Sequence, residues 1–176
     1  DFKTPAPILE DAIHSLEHGE THYTSNAGRL DLRQELSTHL ERLYGVRYDP
    51  IAEMLITVGV SEALYLALTA ILNPGDEVII PTPCFVSYQA EVVLAGGAPI
   101  EVPSKVEDNF QPDVAAIEAA VTPRTQAILI GYPNNTTGAI ASKDVLMQIL
   151  AIAEKNHLVI ISDEITEAVF TKDIVE

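Results

Sequence analysis

The sequence predicts an α/β fold, a mostly parallel sheet covered by helices on both faces, and three observations lead there. Short apolar runs recur at Met54 to Val58, Val78 to Ile80, Pro99 to Val102, Ala127 to Ile130 and Leu158 to Ile161. Most are nearly continuous rather than alternating, the pattern of strands buried on both faces. Between them lie stretches with apolar residues at helical spacing, which parallel neighbours need as crossover connections.

In chain order, Ala6 to His18 and Arg29 to Tyr44 are expected as amphipathic helices joined by a loop over Gly19 to Gly28. The first strand is expected at Met54 to Val58. Glu62 to Leu72 then places Leu64, Tyr65, Leu68, Ile71 and Leu72 on one helical face, and Asn73-Pro74-Gly75-Asp76 ends that helix with turn chemistry. Pro112 to Val121 and Ser142 to Asn156 each begin near a Pro or a Ser cap and carry apolar residues at helical spacing. The remaining four apolar runs supply the other strands.

Composition narrows the function. With 176 residues, 47% of them hydrophobic, the chain is long enough for one domain with a sizeable core. No apolar run approaches the roughly 20 residues that cross a bilayer, and Asp1 to Pro5 carries no basic region followed by an apolar one. A soluble, cytoplasmic protein with no membrane partner is expected. Cys84 is the single cysteine, which excludes an internal disulfide, and no His or metal-ligand spacing surrounds it, so no metal site is expected. A net charge of −16 with only 10 Lys and Arg argues against nucleic acid. A small anion is still compatible, because backbone N–H groups at a helix start hold one whatever the global charge.

In an open α/β sheet, ligands bind at the carboxyl ends of strands, and four such ends carry unusual residues. At Thr57-Val58-Gly59-Val60-Ser61, Gly59 permits a tight turn into a helix, and the N–H groups of Val60 and Ser61 with the Ser61 hydroxyl form an anion cup. The alternative is an ordinary helix cap by Ser61. At Pro81-Thr82-Pro83-Cys84-Phe85, the ring of Phe85 offers a face to a planar heteroaromatic group, or it packs in the core. Tyr132-Pro133-Asn134-Asn135-Thr136-Thr137-Gly138 is a polar turn able to present a side-chain amide, or only a turn. Ile160-Ile161-Ser162-Asp163 runs an apolar strand into a carboxylate that wants a cationic partner or caps a following helix. Together the four ends match pyridoxal 5'-phosphate (PLP): a cup for its phosphate, an aromatic for its ring, a donor for its phenolic oxygen, and a carboxylate for its pyridine nitrogen.

The order and spacing of these segments resemble the class I/II aminotransferases of PLP fold type I along nearly the whole chain. The resemblance assigns Gly59, Val60 and Ser61 to the phosphate, Phe85 to ring stacking, Asn135 to the phenolic oxygen and Asp163 to the pyridine nitrogen. It also reads His22-Tyr23-Thr24-Ser25-Asn26-Ala27-Gly28 as the loop whose tyrosine, Tyr23, reaches the cofactor of a neighbouring subunit in a homodimer. The implied substrates are an α-amino acid and a 2-oxo acid. Residues 1–45 are then a helical segment with a dimer-contact loop, and 46–176 part of the PLP-binding large domain.

Departures from the family pattern qualify this reading. Thr136 stands where the family has proline and Thr166 where it has a tyrosine that donates to the phenolic oxygen. The Schiff-base lysine has no counterpart among Lys3, Lys105, Lys143, Lys155 and Lys172, so the chain is expected to be a fragment, inactive alone. The resemblance further implies that later strands insert between Met54 to Val58 and Ala127 to Ile130, leaving a gap there. Alternatives are a PLP-dependent C–S or β-lyase, and a non-catalytic PLP-type sensor or binding domain; shared cofactor contacts do not decide among them.

Overall fold

The computed structural model describes residues 3–165, and the chain divides into two compact units, Asp1–Thr57 and Val58–Glu176. The first unit holds α1 (Ala6–Glu17) and α2 (Leu30–Tyr44). Gly45, in the left-handed region at φ 70°, ends α2, and its N–H returns to the Glu41 carbonyl. One face of α2 fastens the chain that follows. The Arg33 guanidinium donates to the Pro50 carbonyl and the Ser37 hydroxyl to that of Tyr48.

Met54 to Val58 forms no strand, contrary to the sequence-based expectation. A strand needs a neighbour to accept its N–H groups, and here the Ile56 N–H donates instead to the Ala27 carbonyl at 3.1 Å. Gly28 makes that approach possible, since a Cβ on it would lie 2.5 Å from Ile56 Cβ. The apolar run is thus used in loop packing.

The second unit is built on four parallel strands, β1 (Glu77–Thr82), β2 (Ala98–Pro103), β3 (Thr125–Gly131) and β4 (Val159–Asp163), in the order β2-β1-β3-β4. Helices α3 (Gly59–Ile71), α4 (Ser87–Leu94), α5 (Val114–Ala120) and α6 (Lys143–Asn156) connect and cover them. The strand period of two splits the core. Val78, Ile80, Ala127 and Leu129 pack with Leu64, Leu68, Tyr88 and Val92 of α3 and α4. Ile79, Ile128 and Ile130 face Ile117 of α5 and Ile149 and Ile152 of α6. Helix starts follow their caps: Asp113 accepts from the Ala116 N–H and Ser142 from the Val145 N–H.

Two further differences stand out. The gap expected beside Ala127 to Ile130 is not there, because β3 is paired on both sides, with β1 and with β4 through Ala127↔Val159 to Gly131↔Asp163. The strands with one neighbour among the described residues are β2 and β4. Helix α4 was not expected. It is only eight residues long, and its apolar residues point several ways, with Tyr88 and Val92 buried while Val93 and Leu94 are exposed. No described helix is long and apolar enough to cross a membrane.

At the end of the sheet away from the site, the buried Glu77 carboxylate ties β1 to the turn before β3. It accepts from the Thr122 hydroxyl and from the Arg124 guanidinium, whose Nε lies at 2.9 Å. The Thr122 hydroxyl first, and then Arg124, hold the Glu77 carboxyl below its ordinary range. A depressed carboxyl contributes stability above its unfolded value of about 4.3 and loses it as pH falls through the lower folded value. Glu77→Ala is expected to cost about 1–3 kcal/mol at neutral pH, with the penalty shrinking under acid; melting curves of both proteins across pH 2.5–7 check this.

Candidate functional site

Three strand ends and one helix start of the second unit meet around a cavity of about 140 Å³. Val60 and Ser61 reach it from the start of α3, Phe85 and Tyr88 from the segment leaving β1, Gly131, Pro133 and Asn135 from the end of β3, and Asp163 and Ile165 from the end of β4. Of the residues singled out in the sequence, Val60, Ser61, Phe85, Asn135 and Asp163 line this one cavity. Tyr23 belongs to the first unit, where its side chain is exposed. Thr166 lies outside the described residues.

Helix α3 begins at Gly59, whose φ of +80° suits glycine, and a Cβ there would meet nothing within 4 Å. The backbone angle, not lack of space, therefore calls for glycine. The cap is Val58, with no side-chain cap bond, so Ser61 is not the helix cap. Its N–H and that of Val60 fall among the first four of the helix, which have no intrahelical acceptor, at the positive end of the dipole. The Glu62 carboxylate accepts from the Val58 N–H.

Phe85 packs against the core cluster of α3 and α4 and also lines the cavity. It stands edge-on to Tyr88, ring centroids 5.9 Å apart at 71°. Cys84 beside it is partly buried, and burial first, then the Glu101 charge, pushes its thiol up, which disfavours the reactive thiolate.

The turn after β3 is organised by Asn134, a residue the sequence did not single out. Its amide Nδ2 donates to the Pro83 carbonyl at 2.9 Å, and its buried Oδ1 accepts from the N–H and hydroxyl groups of both Thr136 and Thr137 at 2.8–3.2 Å. Thr136 makes an N–H bond that a proline could not make. Asn135, next in the chain, is exposed toward the cavity.

Asp163 ends β4 at 8% exposure. Its Oδ2 accepts from the Tyr88 hydroxyl at 2.7 Å and its Oδ1 from the Ile165 N–H at 3.1 Å. Among the described residues no Lys, Arg or His pairs with it. A buried carboxylate with hydrogen bonds but no cation is suited to a cationic ligand group presented from the cavity. Tyr88 and Gly131 escaped the sequence reading, although a tyrosine three residues after Phe85 and a glycine closing an apolar strand were visible signals. No cluster of three or more metal-ligating side chains occurs among the described residues.

A parallel sheet with flanking helices and, at its carboxyl edge, a mainly apolar cavity into which a few polar groups converge defines an α/β ligand-binding domain. The chain belongs to the class I and II aminotransferases, whose family model matches residues 1–173, and its sheet is part of the fold type I large domain. It is 47% identical over 165 residues to a putative aminotransferase, YugH, of Bacillus subtilis, covering 94% of this chain and 43% of that protein. It is 42% identical to aromatic-amino-acid aminotransferase 2 of Thermococcus litoralis, over 95% of this chain and 43% of the relative. The crystal structure of an aromatic aminotransferase from Pyrococcus horikoshii superimposes with a TM-score of 0.91 at 42% identity, over 93% of this chain and 44% of that one. The chain thus spans less than half the length of these relatives.

Proposed function

We propose that the full-length protein is a PLP-dependent aminotransferase, a cytoplasmic homodimer moving an amino group between an α-amino acid and a 2-oxo acid. The observation that carries this reading is the buried Asp163, with no cationic partner among the described residues, in one cavity with the α3 start. That pairing suits a ligand with an anionic group at one end and a protonated nitrogen at the other. When bound, PLP supplies an electron sink for the substrate's carbanion.

This chain's residues then bind and orient. The Val60 and Ser61 N–H groups and the Ser61 hydroxyl take the phosphate, with Gly59 allowing the turn. Phe85 stacks on the ring, Asn135 donates to the phenolic oxygen, and Asp163 holds a proton at the pyridine nitrogen. Tyr23 contacts the phosphate of the neighbouring subunit, and Thr166 occupies the position of the family's tyrosine donor. In this reading residues 1–45 form the helical segment with the dimer-contact loop, and 46–176 belong to the PLP-binding domain.

The test is to incubate the full-length protein with PLP, an amino acid and a 2-oxo acid, and to assay the products. A new amino acid supports the reading; pyruvate with ammonia indicates a lyase, and no turnover with firm PLP binding indicates a sensor. Ser61→Ala should weaken PLP retention about tenfold or more, since a hydrogen bond to a charged group is worth about 1.5–3 kcal/mol. Equilibrium dialysis against PLP measures it.

A further inference from the structure

Tyr88 is a residue of the cavity that no sequence argument reached, and it meets three others. It rises from the first turn of α4 and is buried to 3% exposure, yet it carries a hydroxyl into the core. That hydroxyl passes over the end of β3 to reach the neighbouring strand. Gly131 and Asp163 are register partners on β3 and β4, and a Cβ on Gly131 would lie 2.2 Å from the Tyr88 hydroxyl oxygen. Only a residue without a side chain lets the phenol cross there. On arrival it donates to Asp163 Oδ2 at 2.7 Å, while Oδ1 is already held by the Ile165 N–H. The same ring meets Phe85 edge-on.

We infer that Tyr88 is a positioning residue of this site: crossing above Gly131, it locks the orientation of the Asp163 carboxylate and braces the Phe85 ring. The inference rests on the reading of Asp163 as partner of the pyridine nitrogen. The physical case is that a carboxylate at the end of an edge strand turns freely about its side-chain torsions unless both oxygens are tied. Each tied oxygen keeps further capacity to accept, and Asp163 lines the cavity. Both bonds are charge-assisted, and the shorter comes from Tyr88. Burial first, and then the bond to Asp163, keep the phenol protonated far above neutral pH, so it remains a donor. The braced Phe85 keeps its face toward the same space. Tyr88 thus couples the group that holds the ring's proton to the group that holds the ring's plane, without touching the ring.

The test uses the full-length protein loaded with PLP labelled with ¹⁵N in its ring, comparing Tyr88→Phe, Asp163→Ala and the double variant. The readouts are the ring-nitrogen NMR shift, which reports its protonation, and kcat. Tyr88→Phe should move the shift toward the unprotonated value and lower kcat about tenfold, and it should add nothing once Asp163 is alanine. Equal effects of Tyr88→Phe in both backgrounds would show a merely structural role and overturn the inference. A shift displaced by Asp163→Ala but untouched by Tyr88→Phe would overturn it alone. A shift untouched by Asp163→Ala would overturn the assignment of Asp163 and this inference with it. If Tyr88→Phe fails to fold, the tyrosine hydroxyl protons decide. The unaltered protein should show one slowly exchanging downfield signal that Asp163→Ala removes, and its absence or persistence overturns the inference.

Discussion

Asp163→Asn in the full-length protein is expected to lower kcat by about 10²–10³, the scale on which one preorganised electrostatic contact to a developing charge acts. Asparagine matches aspartate in size; its one carbonyl oxygen can still accept from the Ile165 N–H, while its NH2 takes the place of Oδ2 and can donate to the Tyr88 oxygen, so the fold around β4 should persist. Under the proposed function, what it loses is the negative charge that would hold a proton at the pyridine nitrogen. The proposed phosphate contacts at Val60 and Ser61 and stacking on Phe85 would remain, so PLP retention should fall far less than turnover, by about tenfold. Steady-state kinetics and cofactor dissociation on the two proteins check this. Equal losses in both would make Asp163 an anchor only, and unchanged turnover would remove it from the site.

Asn134→Ala is expected to destabilise the protein by about 1–3 kcal/mol, because this one buried side chain ties several part-buried groups that lose their acceptor or donor at once. The Pro83 carbonyl and the Thr136 and Thr137 N–H and hydroxyl groups all converge on this one side chain. Asn134 therefore joins the segments leaving β1 and β3, which carry Phe85 and Asn135 to the cavity. Thermal unfolding of the full-length protein measures the stability, and PLP affinity should fall with it. A stability change below 1 kcal/mol would mean that water or neighbouring groups replace the amide. Asn134→Asp makes a useful comparison, since it keeps the Oδ1 acceptor but replaces the bond to Pro83 with a carboxylate oxygen facing that carbonyl.

Much of this arrangement is legible in the sequence because it obeys local rules. The near-continuous apolar runs at Val78 to Ile80, Ala127 to Ile130 and Leu158 to Ile161 became parallel strands within a residue or two of their expected limits. Ser142 caps α6 as its residue type and place suggest. Gly59 stands at a positive φ, and Val60, Ser61, Phe85, Asn135 and Asp163 share a cavity because each ends or follows a strand or, for Val60 and Ser61, opens a helix. The same local rules misled at Met54 to Val58, where an apolar run without a strand neighbour is packed into a loop. They were silent at α4, too short and too mixed in its apolar faces to show a period.

The sequence by itself determined the fold class, four of the strands with most of the helices, and which strand ends carry polar chemistry, since helical and strand periods, caps and turns are written in neighbouring residues. The tertiary structure alone decided the partners. That Tyr88 reaches Asp163 across 75 positions of chain, that Gly131 must lack a side chain for it to do so, and that Asn134 rather than Asn135 ties the turn to Pro83 follow from register and packing between segments remote in sequence. The physical reason is that a buried polar group must find a partner wherever the fold brings one within about 3 Å, and no local pattern encodes which residue that is.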